Sequence, residues 1–249
     1  MLENIAHQWR QPLSFILTSS TGLRLQNDYE SLDSKFLDET LIGIENMVKH
    51  LNNTIDDFRN YFRPDKETKF FDIEKVVDNV FLLVESKLKN KLIKIVKDIK
   101  ETKAYGFENE FIQVLLNIIN NSIDELEKIK FEEKIIFIEA REIEVCGEKV
   151  SNDVSKCKCI ELKIYDTAGG ISKDIIGKVF DAYFTTKAED KGTGIGLYMS
   201  NEMIKKHMKG SITVANKVFI YEEKEYIGAE FTILIPSEEY TIQEEDKVK

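Results

Sequence analysis

From Leu37 onward the apolar residues advance in alternating steps of four and three: Leu37, Leu41, Ile44, Val48, Leu51, Ile55, Phe58, Phe62. Only an α-helix gathers such positions into one stripe, and a repeat of about 3.5 residues makes that stripe a seam for another helix. A weaker seam precedes it, running Leu2, Ile5, Trp9, Pro12, Ile16 and on to Leu23. Polar residues 27–34 separate the two, with Asp33 or Ser34 suited to cap the second helix. Residues 1–63 therefore read as an antiparallel helical hairpin. Two helices bury little apolar surface by themselves, so the expected arrangement is a homodimer whose paired hairpins form a four-helix bundle.

After Arg63-Pro64-Asp65-Lys66 the pattern changes. Residues 69–72 read as a short strand and 73–88 as an amphipathic helix. A strand is expected over 92–99 and a strongly apolar helix over 109–129. Runs 134–145 and 159–165 are β-rich and joined by a polar loop; glycines dominate 169–196. A helix to about His207 and strands near 210–220 and 227–235 complete the order. Mixed elements with adjacent strand pairs predict an α+β fold, an α/β sandwich built on antiparallel pairing. The expected domains are 1–65, a helical hairpin, and 66–236, the sandwich, followed by an acidic, disordered tail over 237–249.

Charge narrows the partners. Lys+Arg of 35 against Asp+Glu of 45 gives −10, which argues against nucleic acid and anionic membrane surfaces. An anion must then be held by a local, preorganised site. No run approaches the roughly 18 apolar residues of a membrane span, so this segment is not expected to be membrane-embedded. The start, Met1-Leu2-Glu3-Asn4, does not resemble a signal peptide. Three cysteines, Cys146, Cys157 and Cys159, lack a nearby fourth ligand for zinc and read as reduced thiols on a hairpin in the cytoplasm.

Four segments carry candidate chemistry. In His7-Gln8-Trp9-Arg10-Gln11-Pro12-Leu13, His7 lies off the apolar seam, and Pro12 removes the partner of the Gln8 carbonyl. In the 113–124 run, Asn117 and Asn121 stand four apart and share a helix face, offering hard amide oxygens to Mg²⁺. Tyr165-Asp166-Thr167-Ala168-Gly169-Gly170 runs a strand into a carboxylate and a flexible turn. A buried carboxylate there can accept from an exocyclic amine, while an ordinary Asp-Gly turn would use the same residues. Lys191-Gly192-Thr193-Gly194-Ile195-Gly196 opens a helix with alternating glycines, presenting N–H groups and a positive dipole end to phosphates.

In this order, the segments closely resemble the catalytic core of the sensor histidine kinases of two-component systems. His7 to Leu13 is similar to that family's H box and residues 117–121 to its N box. Asp166 to Ile171 is similar to the first glycine box, Val179 to Lys187 to the F box, and Gly192 to Gly196 to the second glycine box. The resemblance spans residues 1 to about 236 and implies a Bergerat-type ATP-binding sandwich of the GHKL class behind a dimerising hairpin. It implies that ATP donates a phosphoryl group to His7, which passes it to an aspartate of a response-regulator receiver domain. By motif position Asp166 would bind the adenine amine, with Gly170 in the adjoining turn. Asn121 with Asn117 would hold Mg²⁺ and the phosphates. Residues 185–194 would form a lid bringing Lys187 and Lys191 to the triphosphate, and Gly192, Thr193, Gly194 and Gly196 would face the phosphates.

Two positions depart from the family's common pattern. The acidic residue that often follows the histidine is here Gln8, which would orient through its amide, and Ala168 replaces a common glycine. Arg10 would pair with the transferred phosphoryl group, and Gln11 sits where the family orients water for dephosphorylation of the regulator. Two other readings fit some of the motifs: a nucleotide-sensing dimeric scaffold, and a GHKL clamp ATPase. No sensor segment is visible, so the chain is expected to be part of a longer protein.

Overall fold

The computed structural model describes residues 2–29, 33–61, 68–130, 133–146, 156–187 and 193–238. Within these, the side chains of 2–11, 50, 52–61, 145, 146, 156 and 157 lie outside the description. The early seam positions Leu2, Ile5 and Trp9, the seam's end at Ile55, Phe58 and Phe62, and most of the acidic tail fall there too. The chain divides into two compact units: Met1–Arg63 with Tyr183–Ile195, and Pro64–Ala182 with Gly196–Lys249.

In the first unit α1 (Leu2–Asp28) and α2 (Ser34–Tyr61) form the hairpin. Helix α1 runs unbroken through Pro12. Asp33 caps α2, its carboxylate accepting from the Phe36 N–H at 3.3 Å, which satisfies one of the orphan donors of the first turn. Gly43 leaves room for Phe15, whose ring tip lies 3.1 Å from where a Cβ would stand. Leu13, Phe15 and Leu17 on α1 and Leu41, Ile42 and Val48 on α2 remain exposed. Of the described seam positions, Leu37, Ile44 and Leu51 are half-buried.

The second unit begins with β1 (Lys69–Asp72), which pairs antiparallel with β3 (Lys103–Gly106). Asp72 caps α3 (Ile73–Asn90) through the Lys75 N–H. The main sheet has the order β2-β4-β5-β7-β6, built from β2 (Lys94–Ile99), β4 (Ile135–Cys146), β5 (Lys156–Asp166), β6 (Ser211–Tyr221) and β7 (Lys224–Pro236). All its neighbours are antiparallel except β2 and β4, which run parallel. The connection between those two is long enough for a crossover, because it contains β3 and α4 (Glu108–Glu127). β3 is absent from the sequence reading: four residues give too short an alternation to register, and its partner β1 makes it a strand.

Alternation sorts the sheet's faces. Ile136 and Ile138 of β4, Ile160, Leu162 and Ile164 of β5, and Phe231, Ile233 and Ile235 of β7 are buried with the apolar stripes of the helices. Helix α3 contributes Ile73, Val76, Val77, Val80 and Val84; helix α4 contributes Phe111, Leu115, Ile118, Ile119 and Leu126. The opposite face carries a smaller cluster. There the rings of Phe137 and Tyr165 stack at 4.8 Å, and Phe219 and Tyr221 meet Phe137 edge-on at 5.2 and 5.0 Å. Lys217 sits 3.7 Å above the Tyr165 ring, and the Tyr165 hydroxyl donates to Glu139. The long β6–β7 hairpin thus supplies part of a second core. Phe137→Ala should lower unfolding stability by about 3 kcal/mol, the lower end for a buried aromatic truncation, as read from urea denaturation of this unit.

Candidate functional site

Period two continues past the apolar part of β5. Residues 160, 162 and 164 face the helices, so Asp166 faces them as well, and it is only 3% exposed. A carboxylate in that position needs donors. Ser122 of α4 donates to Asp166 Oδ2 at 2.8 Å, and the Ala168 N–H donates to Oδ1 at 3.0 Å. The Ala229 N–H of β7 also favours the charged form. Burial pushes the Asp166 carboxyl above its ordinary value, these groups pull it back, and the nearby Glu125 charge adds to the rise. Gly228 permits this arrangement: a Cβ on it would fall 1.6 Å from the Asp166 carbonyl oxygen.

The turn after Asp166 is fastened at both ends. The buried Thr167 hydroxyl donates to the Glu133 carbonyl at 2.7 Å and accepts from the Ile135 N–H at 3.1 Å. Gly170 has φ +80°, and a Cβ there would lie 2.7 Å from Asn216 Oδ1. That Asn216 amide accepts from the Ile171 N–H and donates to the Ile171 carbonyl, both at 2.7 Å, tying the loop to β6.

Beside the apolar stripe of α4 runs a polar one: Glu110, Gln113, Asn117, Asn121, Asp124. Asn117 Nδ2 donates to the Gly196 carbonyl and to Ser200 Oγ, each at 3.1 Å. Both partners belong to α6 (Gly196–Glu202), so Asn117 fastens the start of the helix that follows the glycines. Its Oδ1 accepts from Gln113 at 3.4 Å. Asn121 stands one turn further along α4, directly before Ser122. At the other end α6 widens into a π-helical turn, Met203–His207, where His207 Nδ1 lies 2.8 Å from Glu110 Oε2.

In the other unit, the Tyr183 N–H donates to the Gly194 carbonyl at 2.9 Å. Gly194 has φ +65°, and a Cβ on it would lie 2.4 Å from the Tyr183 carbonyl carbon, so only glycine fits. Thr193 Oγ1 accepts from the Ile195 N–H, and Thr185 Oγ1 from the Lys187 N–H. Lys191 and Gly192 lie outside the described residues. His7, Gln8, Arg10 and Gln11 lie on α1, and their side chains are outside the description.

Several working residues escape a reading by motif alone: Ser122, Ser200, Asn216 and Gly228. Two left a trace. Ser122 is the polar interruption of an otherwise apolar stripe, and Gly228 is a lone glycine inside a strand pattern, a sign of close backbone approach. Ser200 and Asn216 depend on tertiary contacts that no local pattern announces.

A Bergerat-type strand end, glycine turn and asparagine helix are thus assembled in one unit. Residues 106–239 match the family described as histidine kinase-, DNA gyrase B-, and HSP90-like ATPase, more than half of the chain. The chain belongs to that family. Its ATPase domain is of the sensor-histidine-kinase type, and such a domain implies ATP binding. The two-component sensor PprA of Pseudomonas aeruginosa is 25% identical over 223 residues, covering 87% of this chain and 23% of that protein. The signal transduction histidine-protein kinase AtoS of Escherichia coli is 26% identical over 240 residues, covering 95% of this chain and 34% of that protein. The chain therefore spans about a quarter to a third of the length of these relatives.

Solved structures share the fold. The histidine kinase AdeS of Acinetobacter baumannii superposes with a TM-score of 0.60 at 21% identity, over 94% of this chain and 98% of that one. The histidine kinase ThkA, solved in complex with the response regulator TrrA, gives 0.63 at 19% identity, over 96% of this chain and 61% of that one. Among the described residues no helix is long and apolar enough to cross a membrane.

The raised Asp166 pKa sets a pH dependence. Only the ionised carboxylate is acceptor-only, so lowering the pH through its pKa should weaken any donor that bonds to it. An NMR titration of the Asp166 carboxyl carbon should show it ionising with a midpoint above 3.8, the ordinary aspartate value, and a midpoint at or below that value would contradict the raised pKa.

Proposed function

We propose that this chain is an ATP-dependent protein-histidine kinase core that phosphorylates its own His7 and passes the group to an aspartate of a response-regulator receiver domain. The observation that carries the reading is the buried Asp166 carboxylate, held by Ser122 and backbone amides beside Asn121. It forms an adenine-amine acceptor next to amide oxygens that suit the phosphate end. The first step forms a P–N bond at the His7 imidazole and breaks the β–γ P–O bond, releasing ADP. Such transfer needs positioning and charge neutralisation more than covalent help. A neutral imidazole near pH 7 is already nucleophilic, so Gln8 need only orient it, with Arg10 and Gln11 on the same helix.

Among the described residues no group of three or more His, Cys, Asp or Glu could hold a metal ion. That suits Mg²⁺ carried in on the triphosphate, since this ion keeps few protein ligands and takes the rest from phosphates and water. Asn121 would supply the amide oxygen. Asn117, whose nitrogen is tied to α6, would set the helix against the site. Lys187, Lys191, Gly192, Thr193, Gly194 and Gly196 would meet the phosphates.

The same reading makes residues 1–65 the dimerising phosphotransfer hairpin and 66–236 the catalytic domain, in a cytoplasmic setting. The exposed Leu13, Leu17, Leu41 and Val48 support a homodimer, because the hairpin leaves them in water. The ThkA–TrrA complex supports a receiver domain as partner.

Incubation with γ-labelled ATP should give an acid-labile label on the wild-type chain. His7→Ala should remove the label while ATP affinity, measured by calorimetry, stays within about 2-fold, because the imidazole is the acceptor and not a binding group. Label persisting in His7→Ala would contradict the acceptor assignment. ATP binding without any label in the wild type would favour the nucleotide-sensing scaffold.

A further inference from the structure

Ser122 behaves unlike two other helical hydroxyls, those of Thr21 and Ser200. Thr21 donates back to the Leu17 carbonyl at 2.8 Å and Ser200 to the Gly196 carbonyl at 2.9 Å, the usual local bond to the fourth residue before. Ser122 instead sends its proton across to Asp166 Oδ2, at 2.8 Å and fully inside the protein. It is also the polar residue on a stripe whose neighbours Leu115, Ile118, Ile119 and Leu126 are all apolar and buried. A serine placed there without a partner would weaken the core, so its hydroxyl is present for the carboxylate.

The count of lone pairs gives the consequence. An ionised carboxylate offers about four acceptor sites. The Ser122 O–H and the Ala168 N–H occupy one site on each oxygen, which leaves a further site on each for a ligand. Those two donors come from α4 and from the turn, one to each oxygen, so the carboxylate is held from two sides. The charged group facing Asp166 from α4 is Glu125, which opposes ionisation. Ser122 is the side-chain donor that counters it from the same helix.

Resting on the adenine reading above, we propose that Ser122 is a positioning residue for nucleobase selectivity: it fixes Asp166 so that a remaining acceptor meets a 6-amino group and rejects a 6-oxo base. A base with a carbonyl at that position would set oxygen against oxygen, whereas an amine donates to the carboxylate. Discrimination of this kind is strong where a buried polar group would otherwise be left unpaired.

The test compares ATP with inosine triphosphate, which differs by the 6-oxo group, on the full chain by calorimetry. Wild type should prefer ATP. Ser122→Ala should weaken ATP by about 10-fold, the low end for losing a hydrogen bond to a charged group, and leave inosine triphosphate within about 2-fold. Selectivity then falls by about the same 10-fold. Ser122→Cys, which keeps the size but donates weakly, should fall between the two, and it carries the test if the alanine variant does not fold. A uniform loss for both nucleotides, or unchanged selectivity in Ser122→Ala while Asp166→Asn loses it, overturns the proposal and leaves the adenine reading standing. A wild type with no preference, matched by Asp166→Asn, would instead overturn the adenine reading itself.

Discussion

Burying one carboxylate at the end of a core strand is the constraint around which the second unit is arranged. Asp166 follows the inward alternation of β5, so the fold cannot turn it to water without breaking strand register. Its burial raises its pKa, and the sign of the linked stability follows. As pH rises from the unfolded value the unfolded chain ionises first, so stability falls until the folded group ionises, and the deficit persists at neutral pH. Donors from α4, the following turn and β7 limit that deficit. A free-standing core would place a hydrophobic residue there, and the retained charge is what a ligand can use.

Helix α4 connects this carboxylate to everything else in the unit. Its apolar stripe buries Phe111, Leu115, Ile118 and Leu126 against the sheet, which fixes the helix axis. Its polar stripe then holds α6 at two points: Asn117 at the Gly196 end, and Glu110 at His207 in the π-helical turn. Core packing and site geometry are therefore set by two faces of one helix. A shift of α4 would move Ser122, Asn117 and Asn121 together, which makes the site stiff with respect to local change.

Much of this was legible in the sequence because it rests on local rules. The step-four, step-three seam from Leu37 announced α2, and the apolar run of 109–129 announced α4. The β-rich run of 159–165 announced β5, with Asp166 at its end, though not the face on which that carboxylate lies. The parallel pairing of β2 with β4 was not legible, because strand direction depends on a crossover through α4. The β6–β7 hairpin was seen as two strands, but the aromatic cluster it builds on Phe137 and Tyr165 depends on packing against two other strands, β4 and β5. Asn216 and Ser200 were missed for the same reason: their partners, Ile171 and Asn117, are 45 and 83 residues away in sequence. Motif spacing located the asparagines but could not say that Asn117 would be spent on holding α6.

On the proposal above, the base of ATP is held by the buried Asp166 carboxylate. A crystal structure of the chain with a non-hydrolysable ATP analogue tests it most directly. The account predicts the adenine 6-amino nitrogen about 3 Å from an Asp166 oxygen, with the Ser122 and Ala168 bonds intact. An adenine ring bound elsewhere, or an Asp166 carboxylate making only its protein contacts beside a bound base, would contradict it.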